Sequence, residues 1–203
     1  MNAESISLNG ETPWSLLVLG NDIDSPSLGL ERVQKPRLLA VDFTPRSTGD
    51  PGHWENRLGT WPTELVVVTT ETRDPDAVAA DEVEQVNSPA DLTGLGMKAT
   101  KHLARWESNA ETDFDLESKS TLQSEVTTPI VVFDSLTILL QYASVQSVFK
   151  FLHTLTTRIS NVDGHGVFFL DPVTQDDKTV HTFAAVFDAV ARRSGDEWDI
   201  ESR

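Results

Sequence analysis

A chain of 203 residues, 38% apolar and 24% charged, has the material for one large domain with a substantial core. Its 32 acidic residues outnumber 16 basic ones, for a formal charge of −16 and a pI near 4.5, and such a surface repels a bare nucleic-acid backbone or an anionic membrane. The absence of cysteine excludes disulfides, thiolate metal sites and cysteine nucleophiles. There is no basic-then-apolar leader and no apolar run near about 18 residues, so the reading is a cytoplasmic protein with neither signal peptide nor membrane span. The acidic excess is spread along the chain. That distribution fits solubility in concentrated salt, where screening removes most self-repulsion, and hence a halophilic cytoplasm.

Residues 1–13 are polar and read as a loosely held N-terminus, 14–195 as a single domain and 196–203 as a tail. Ser15 to Leu19 is a short apolar strand ending at Gly20, followed by a polar turn in which Ser25 and Pro26 resemble a helix cap and first-turn proline. Arg37 to Phe43 is a second strand. Residues 44–63 hold prolines, glycines, Trp54 and Trp61, and form an irregular excursion that offers either a partner surface or a satellite core. Glu64 to Thr70 is a third strand, and residues 71–87 are acidic and weakly helical around Asp76–Val86. Ser88-Pro89-Ala90-Asp91 starts a helix whose apolar residues recur at Leu92, Leu95, Ala99, Leu103 and Trp106. Gly94 and Gly96 weaken it by about 1 kcal/mol each relative to Ala, which suggests close backbone packing or a turn near a site. Residues 107–128 read as a loop or solvated extension.

The centre of the chain is 129–160. Ile130 to Phe133 is a β-branched apolar run, the pattern of a strand buried on both faces, and Asp134 stands at its end with Ser135 behind it. Val145, Val148, Phe149, Leu152, Leu155 and Ile159 then recur at helical spacing. Gly166 to Leu170 is another buried strand ending in an acid, Asp171. Val180, Phe183, Phe187 and Val190 suggest a last helix, with Gly195 near its end. The tail Glu197–Glu201 either adds an edge strand or dangles. Alternating strands and helices predict an α/β fold with a mostly parallel central sheet and helices on both faces.

Ligands of open α/β sheets lie outside the carboxyl ends of the strands, so Asp134 and Ser135 are the first candidates. An apolar strand ending Asp-Ser resembles the Walker B strand of RecA- and KaiC-type ATPases, in which the acid holds Mg²⁺. The partner motif, G-x-x-x-x-G-K-S/T after the first strand, is degenerate here. Gly20-Asn-Asp-Ile-Asp-Ser-Pro-Ser has no lysine and no second glycine, and puts two aspartates where phosphates would lie. Ordinary ATP binding is therefore disfavoured, and no cofactor is assigned. Read alone, Asp134 is equally a strand-end acid that caps the next turn. Ser135 lacks the glycine pattern of a hydrolase elbow. His53, His102, His153, His165 and His181 show no metal-ligand spacing, and His153 and His181 read as surface or half-buried helical residues. Asp171, Asp176 and Asp177 could attract a cation, but a solvated turn and helix start explain them.

The stretches Ser88–Gly96, Val132–Tyr142, Val148–Leu155 and Phe169-Leu-Asp-Pro172 resemble a family of haloarchaeal proteins of unknown function, itself distantly similar to KaiC/RecA-type ATPases. The resemblance covers about residues 14–193. It implies a RecA/KaiC-like sheet with a degenerate P-loop, a haloarchaeal cytoplasm and no established activity. Some members carry a transducer-like label, which points towards signalling. Where the family often has His-Leu-Asp-Pro, this chain has Phe169-Leu-Asp-Pro, which removes a polar group.

Two functions compete. One is a non-catalytic RecA-like regulatory or signalling module that binds a protein partner or itself. The other is an atypical nucleotide- or Mg²⁺-dependent, ATPase-like protein using Asp134, with Asp171 as second acid. Nucleic acid is an unfavoured partner on charge.

Overall fold

The apolar runs become the strands of one sheet in a computed structural model, which describes residues 14–20, 33, 35–43, 55, 59–72, 80–112, 127–194 and 197–202. The strands are β1 (Trp14–Leu19), β2 (Pro36–Asp42), β3 (Glu64–Thr69), β4 (Glu82–Gln85), β5 (Thr128–Asp134), β6 (His165–Leu170), β7 (Ala189–Ser194) and β8 (Glu197–Ser202). They form an 8-stranded sheet in the order β4-β3-β2-β5-β6-β1-β7-β8. Every neighbouring pair is parallel except β7 with β8. The helices are α1 (Leu92–Thr112), α2 (Leu136–Tyr142), α3 (Val145–Asn161) and α4 (Asp177–Ala184), with a 3₁₀ turn at Pro172–Thr174. This is the α/β class that the alternating pattern predicts.

The central strands are apolar along their whole length because both faces are covered. Leu39, Val131, Phe133 and Phe168 face one core, which α1, α2, α3 and α4 complete with residues such as Leu103, Leu139, Leu152 and Phe183. Leu38, Ala40, Ile130 and Val132 face the other, joined by Trp198 and Ile200 of β8. Phe133 stacks on Phe168 at 6.0 Å and meets Phe43 and Phe151 edge-on, so one aromatic group ties three elements of the first core together. The steps β4 to β5, β5 to β6 and β6 to β7 all run in one direction across the sheet. Right-handed crossovers put their helices on one face, and that face carries all four described α-helices.

Several sequence expectations are corrected. Glu82–Gln85, placed in a weak helix, is a strand on the outer edge of β3. Its alternation turns Val83 to the second core and both glutamates to the face under α1. The rest of that supposed helix, 73–79, lies outside the described residues, as do Ser25, Pro26, His53 and Trp54. The stretch after Trp106, read as a loop or solvated extension, continues α1 to Thr112, and 113–126 lies outside the described residues. The connection after Asp134 holds a helix of its own, α2, which ends where Ala143 turns extended and Ser144 caps α3 by accepting from the Ser147 N–H. The last helix stops at Ala184, and Val190 belongs to strand β7. Apolar residues three and four apart continue across the junction, so spacing alone misses the break. The tail chain 197–202 forms the antiparallel edge strand β8.

Candidate functional site

Asp134 ends β5, and the parallel register sets it beside Asp42 at the end of β2. Both are two residues beyond second-core residues, Val132 and Ala40, so both side chains face the same side of the sheet. Both are buried, with 1% of Asp42 and 4% of Asp134 exposed. Thr69, also buried, ends β3 one register step beyond the Val41–Val68 pair. Two carboxyls and a hydroxyl thus line the carboxyl ends of three adjacent strands, a hard-oxygen group suited to Mg²⁺ or Ca²⁺. The sequence reading missed Asp42. Its signal was present, because Leu38-Leu-Ala-Val-Asp42 repeats the apolar-run-then-acid pattern of β5.

Ser135 follows Asp134 as the N-cap residue of α2, but its side chain makes no cap hydrogen bond. Asp171 directly follows the neighbouring strand β6. Its carboxylate accepts from the Val173 N–H at 2.9 Å and caps the 3₁₀ turn, while its own N–H donates to Thr137 Oγ1 at 2.9 Å. Asp176 caps α4 by accepting from the Thr179 N–H at 2.6 Å, and that hydrogen bond holds its carboxyl below the usual range. These acids therefore have local structural work. At the end of β1, the Gly20 N–H donates to the Leu170 carbonyl, and the indole of Trp198 lies against the glycine. A Cβ on Gly20 would stand 3.2 Å from Trp198 Cη2.

A second group lies at the sheet edge. Lys98, Lys101, His102 and Arg105 form one stripe on α1, at the i, i+3, i+4, i+7 spacing that shares a helix face. That stripe lies over Glu82 and Glu84. Lys101 Nζ bridges them, 2.6 Å from Glu84 and 3.2 Å from Glu82, and Lys98 also binds Glu84. Arg105 reaches Glu82 at 3.1 Å and pairs with Glu64, which accepts from Trp106 Nε1 at 2.8 Å. Burial pushes the Glu84 carboxyl up, but hydrogen bonds from Lys101, Lys98 and His102 outweigh it and hold the group down at about 2.

His102 is fully buried, with Nε2 3.2 Å from Glu84 and Nδ1 3.9 Å from Glu82. Burial pushes the imidazole down. Glu82, Glu84 and His102 place one ligand atom each within 4.8 Å of one another, the only such grouping among the described residues. Imidazole and carboxylates suit Zn²⁺, yet the Lys and Arg groups already engage both carboxylates. The arrangement is an ion-pair network that pins α1 to an edge strand, and a metal would have to displace Lys101. No sequence spacing announces it, because His102 is brought to β4 by packing. His153 and His181 are exposed on α3 and α4. Trp61 is partly exposed. Gly94 leaves room for the Asp91 carboxylate, which accepts from the Gly94 N–H at 2.8 Å; the cap is therefore Asp91, not Ser88.

Comparison with known proteins gives a family and a fold. The chain belongs to the family described as Family of unknown function (DUF7504), whose model matches residues 27–192. No curated protein matches it. Two Pyrococcus horikoshii structures are similar over nearly their whole length. One, from a structural study of PH0250, has a TM-score of 0.52 at 9% identity and covers 96% of this chain and 92% of its own. The other, the uncharacterized protein PH0321 in complex with an unknown peptide, has a TM-score of 0.51 at 11% identity, with 95% and 93% covered. The cytoplasmic domain of the Thermomonospora curvata type VII secretion ATPase EccC aligns at a TM-score of 0.36 and 12% identity, over 90% of this chain and 19% of that one. Among the described residues, no helix is long and apolar enough to cross a membrane.

Proposed function

We propose that this DUF7504 protein is a non-catalytic, RecA-like regulatory or signalling module that works by protein–protein contact in the cytoplasm of a halophilic archaeon. The observation that carries the reading is the end of β1. A phosphate cradle needs bare backbone N–H groups and a lysine there. This chain has Gly20 covered by the Trp198 indole, Ser25 and Pro26 at the positions of the motif's second glycine and lysine, and Asp22 and Asp24 where phosphates would lie. These departures from the motif count against a triphosphate site at that strand end. The formal charge of −16 supports the halophilic setting. The peptide held by the similar PH0321 structure supports protein contact as the use of the frame.

The test is thermal unfolding in about 2 M KCl, a screened medium, with ATP, ADP and GTP, each with and without Mg²⁺. The expected result is no shift. A nucleotide at 100 times its Kd would add about 2.7 kcal/mol of stability, and a shift of that order would end the proposal. A second reading draws support from the buried Asp42–Asp134 pair: Mg²⁺-dependent, ATPase-like chemistry, with Asp171 as a further acid. It expects a Mg²⁺-dependent nucleotide shift that disappears in both Asp42→Asn and Asp134→Asn.

A further inference from the structure

His102 differs from its neighbours on the α1 stripe. Lys98, Lys101 and Arg105 are cations that each reach a carboxylate. His102 is fully buried, and its two ring nitrogens face the same two acids. A neutral imidazole carries one N–H, and a carboxylate only accepts. Nε2 faces Glu84 Oε1 at 3.2 Å, and Nδ1 faces Glu82 Oε2 at 3.9 Å, where it has no hydrogen-bond partner. One nitrogen of the neutral ring therefore presents a bare lone pair to a carboxylate oxygen. Burial opposes the second proton that would relieve this. A metal cation held by imidazole and carboxylates relieves it instead.

The carboxylate oxygens are sorted for such an ion. Lys98 binds Glu84 through Oε2, and Arg105 binds Glu82 through Oε2. Both Oε1 atoms face Lys101 Nζ, at 2.6 Å from Glu84 and 3.2 Å from Glu82. That ammonium stands where an ion shared by the two acids would stand. Its side chain is 57% exposed, so it has a path out to water, and an ion has the same path in.

We propose that Glu82, Glu84 and His102 form a Zn²⁺ site for which Lys101 competes. Zn²⁺ takes one oxygen from each glutamate and one ring nitrogen from His102, and Lys101 turns to solvent. One ligand atom of each residue already lies within 4.8 Å of the other two. Ligands about 2.0–2.1 Å from a tetrahedral Zn²⁺ stand closer together than that, so the group contracts on binding. A divalent ion balances two carboxylates. The imidazole selects Zn²⁺ over Mg²⁺ and Ca²⁺, which take oxygen. Lys98 and Arg105 keep the outer oxygens and orient the carboxylates from behind. Water fills the fourth position. The ion clamps α1 to the sheet edge, and the site is independent of the protein contact proposed above.

Calorimetric titration of the metal-free chain with Zn²⁺, beside one with Mg²⁺, tests this. KCl at about 1 M screens unspecific attraction of cations to the acidic surface. The expected result is one Zn²⁺ per chain, no Mg²⁺ binding, and a melting midpoint that rises with Zn²⁺. Glu82→Gln, at a partly exposed side chain, abolishes binding and keeps the wild-type circular dichroism. Lys101→Met tightens binding about threefold to tenfold, because no ammonium has to be displaced. That readout is a gain, so it stands even where Glu82→Gln fails to fold. An ion-pair network without a metal gives Lys101→Met a small loss of stability and no gain in Zn²⁺ affinity. A wild type that binds no Zn²⁺ overturns the proposal, even where Lys101→Met binds it, since Lys101 is then the permanent occupant. Binding that survives Glu82→Gln unchanged, or an unchanged affinity in Lys101→Met, overturns it as well.

Discussion

Helices α1 and α3 cover the same face of the same sheet and pack on one another, but they use their second faces differently. α1 turns an apolar stripe, Leu95, Ala99, Leu103 and Trp106, into the core and a charged stripe onto β4. Its polar groups are spent inside the molecule, holding a four-residue edge strand that has little apolar surface of its own. α3 buries Val148, Leu152, Leu155 and Ile159 equally well, yet its N-terminal turn leaves Val145 exposed and Phe149 only partly covered. A helix whose second face is matched within the fold gains stability from both faces, and one whose second face is unmatched gains it from one.

The comparison can be broken first at Trp106. It is 1% exposed, fills the space between α1 and β3, and donates to Glu64. Trp106→Ala should cost about 3–5 kcal/mol in a denaturant titration, from lost burial and an abandoned acceptor. A cost under about 1 kcal/mol would mean that α1 is not anchored where the structure places it.

Acid titration gives the next largest effect. His165, stacked on Trp14 at 4.7 Å, is pushed down by burial to about 4. Its unfolded value is near 6.5, so between these limits the unfolded chain binds more protons. Stability is therefore complete above about pH 6.5 and falls as pH drops towards 4, by about 3 kcal/mol. Burial of His102 acts with the same sign. The depressed Glu84 adds a lower window, its stabilisation being present above about 4.5 and lost as pH falls towards 2. His165→Phe should make the upper window shallower, leaving what His102 contributes, and leave the lower window unchanged, as read from melting midpoints across pH.

Lys101→Met tests the stripe on α1. Lys101 is more than half exposed, so its two ion pairs are worth only about 0.2–1 kcal/mol, and less in molar salt. A larger loss that persists in salt would mean the network carries more of the α1–β4 contact than its exposure allows. On α3, Val145→Glu should change stability by about 0.5 kcal/mol or less, because the side chain is already exposed, as read from the melting midpoint.

Much of the fold is visible in local pattern. Ile130–Phe133 and Val167–Leu170 are apolar on both alternations, so each needs cover on two faces, and both are central strands of the sheet. The long amphipathic period of α3 is equally plain. Pattern fails where one periodicity serves two structures. Val180, Phe183 and Phe187 continue to Val190 at helical spacing, yet a strand begins at Ala189, with Phe187 packed 4.9 Å from Phe168 at the turn between. It fails also at Glu82–Gln85, a strand too short and too polar to stand out from an acidic loop.

The sequence by itself determined the class of the fold, the acid at the end of β5 and the absence of a lysine-bearing phosphate-loop motif after β1. These are local properties: continuous burial, a residue at a strand end, a missing side chain. Only the tertiary structure decided which groups meet. Asp42 joins Asp134 because β5 returns to lie beside β2 after β3, β4 and α1. Trp198 reaches Gly20 because the last strand pairs with β7, next to β1. His102 meets Glu82 and Glu84 because α1 crosses the edge strand. Such contacts follow from strand order and crossover direction, which depend on how all the buried faces are satisfied at once, and no single stretch of sequence encodes them.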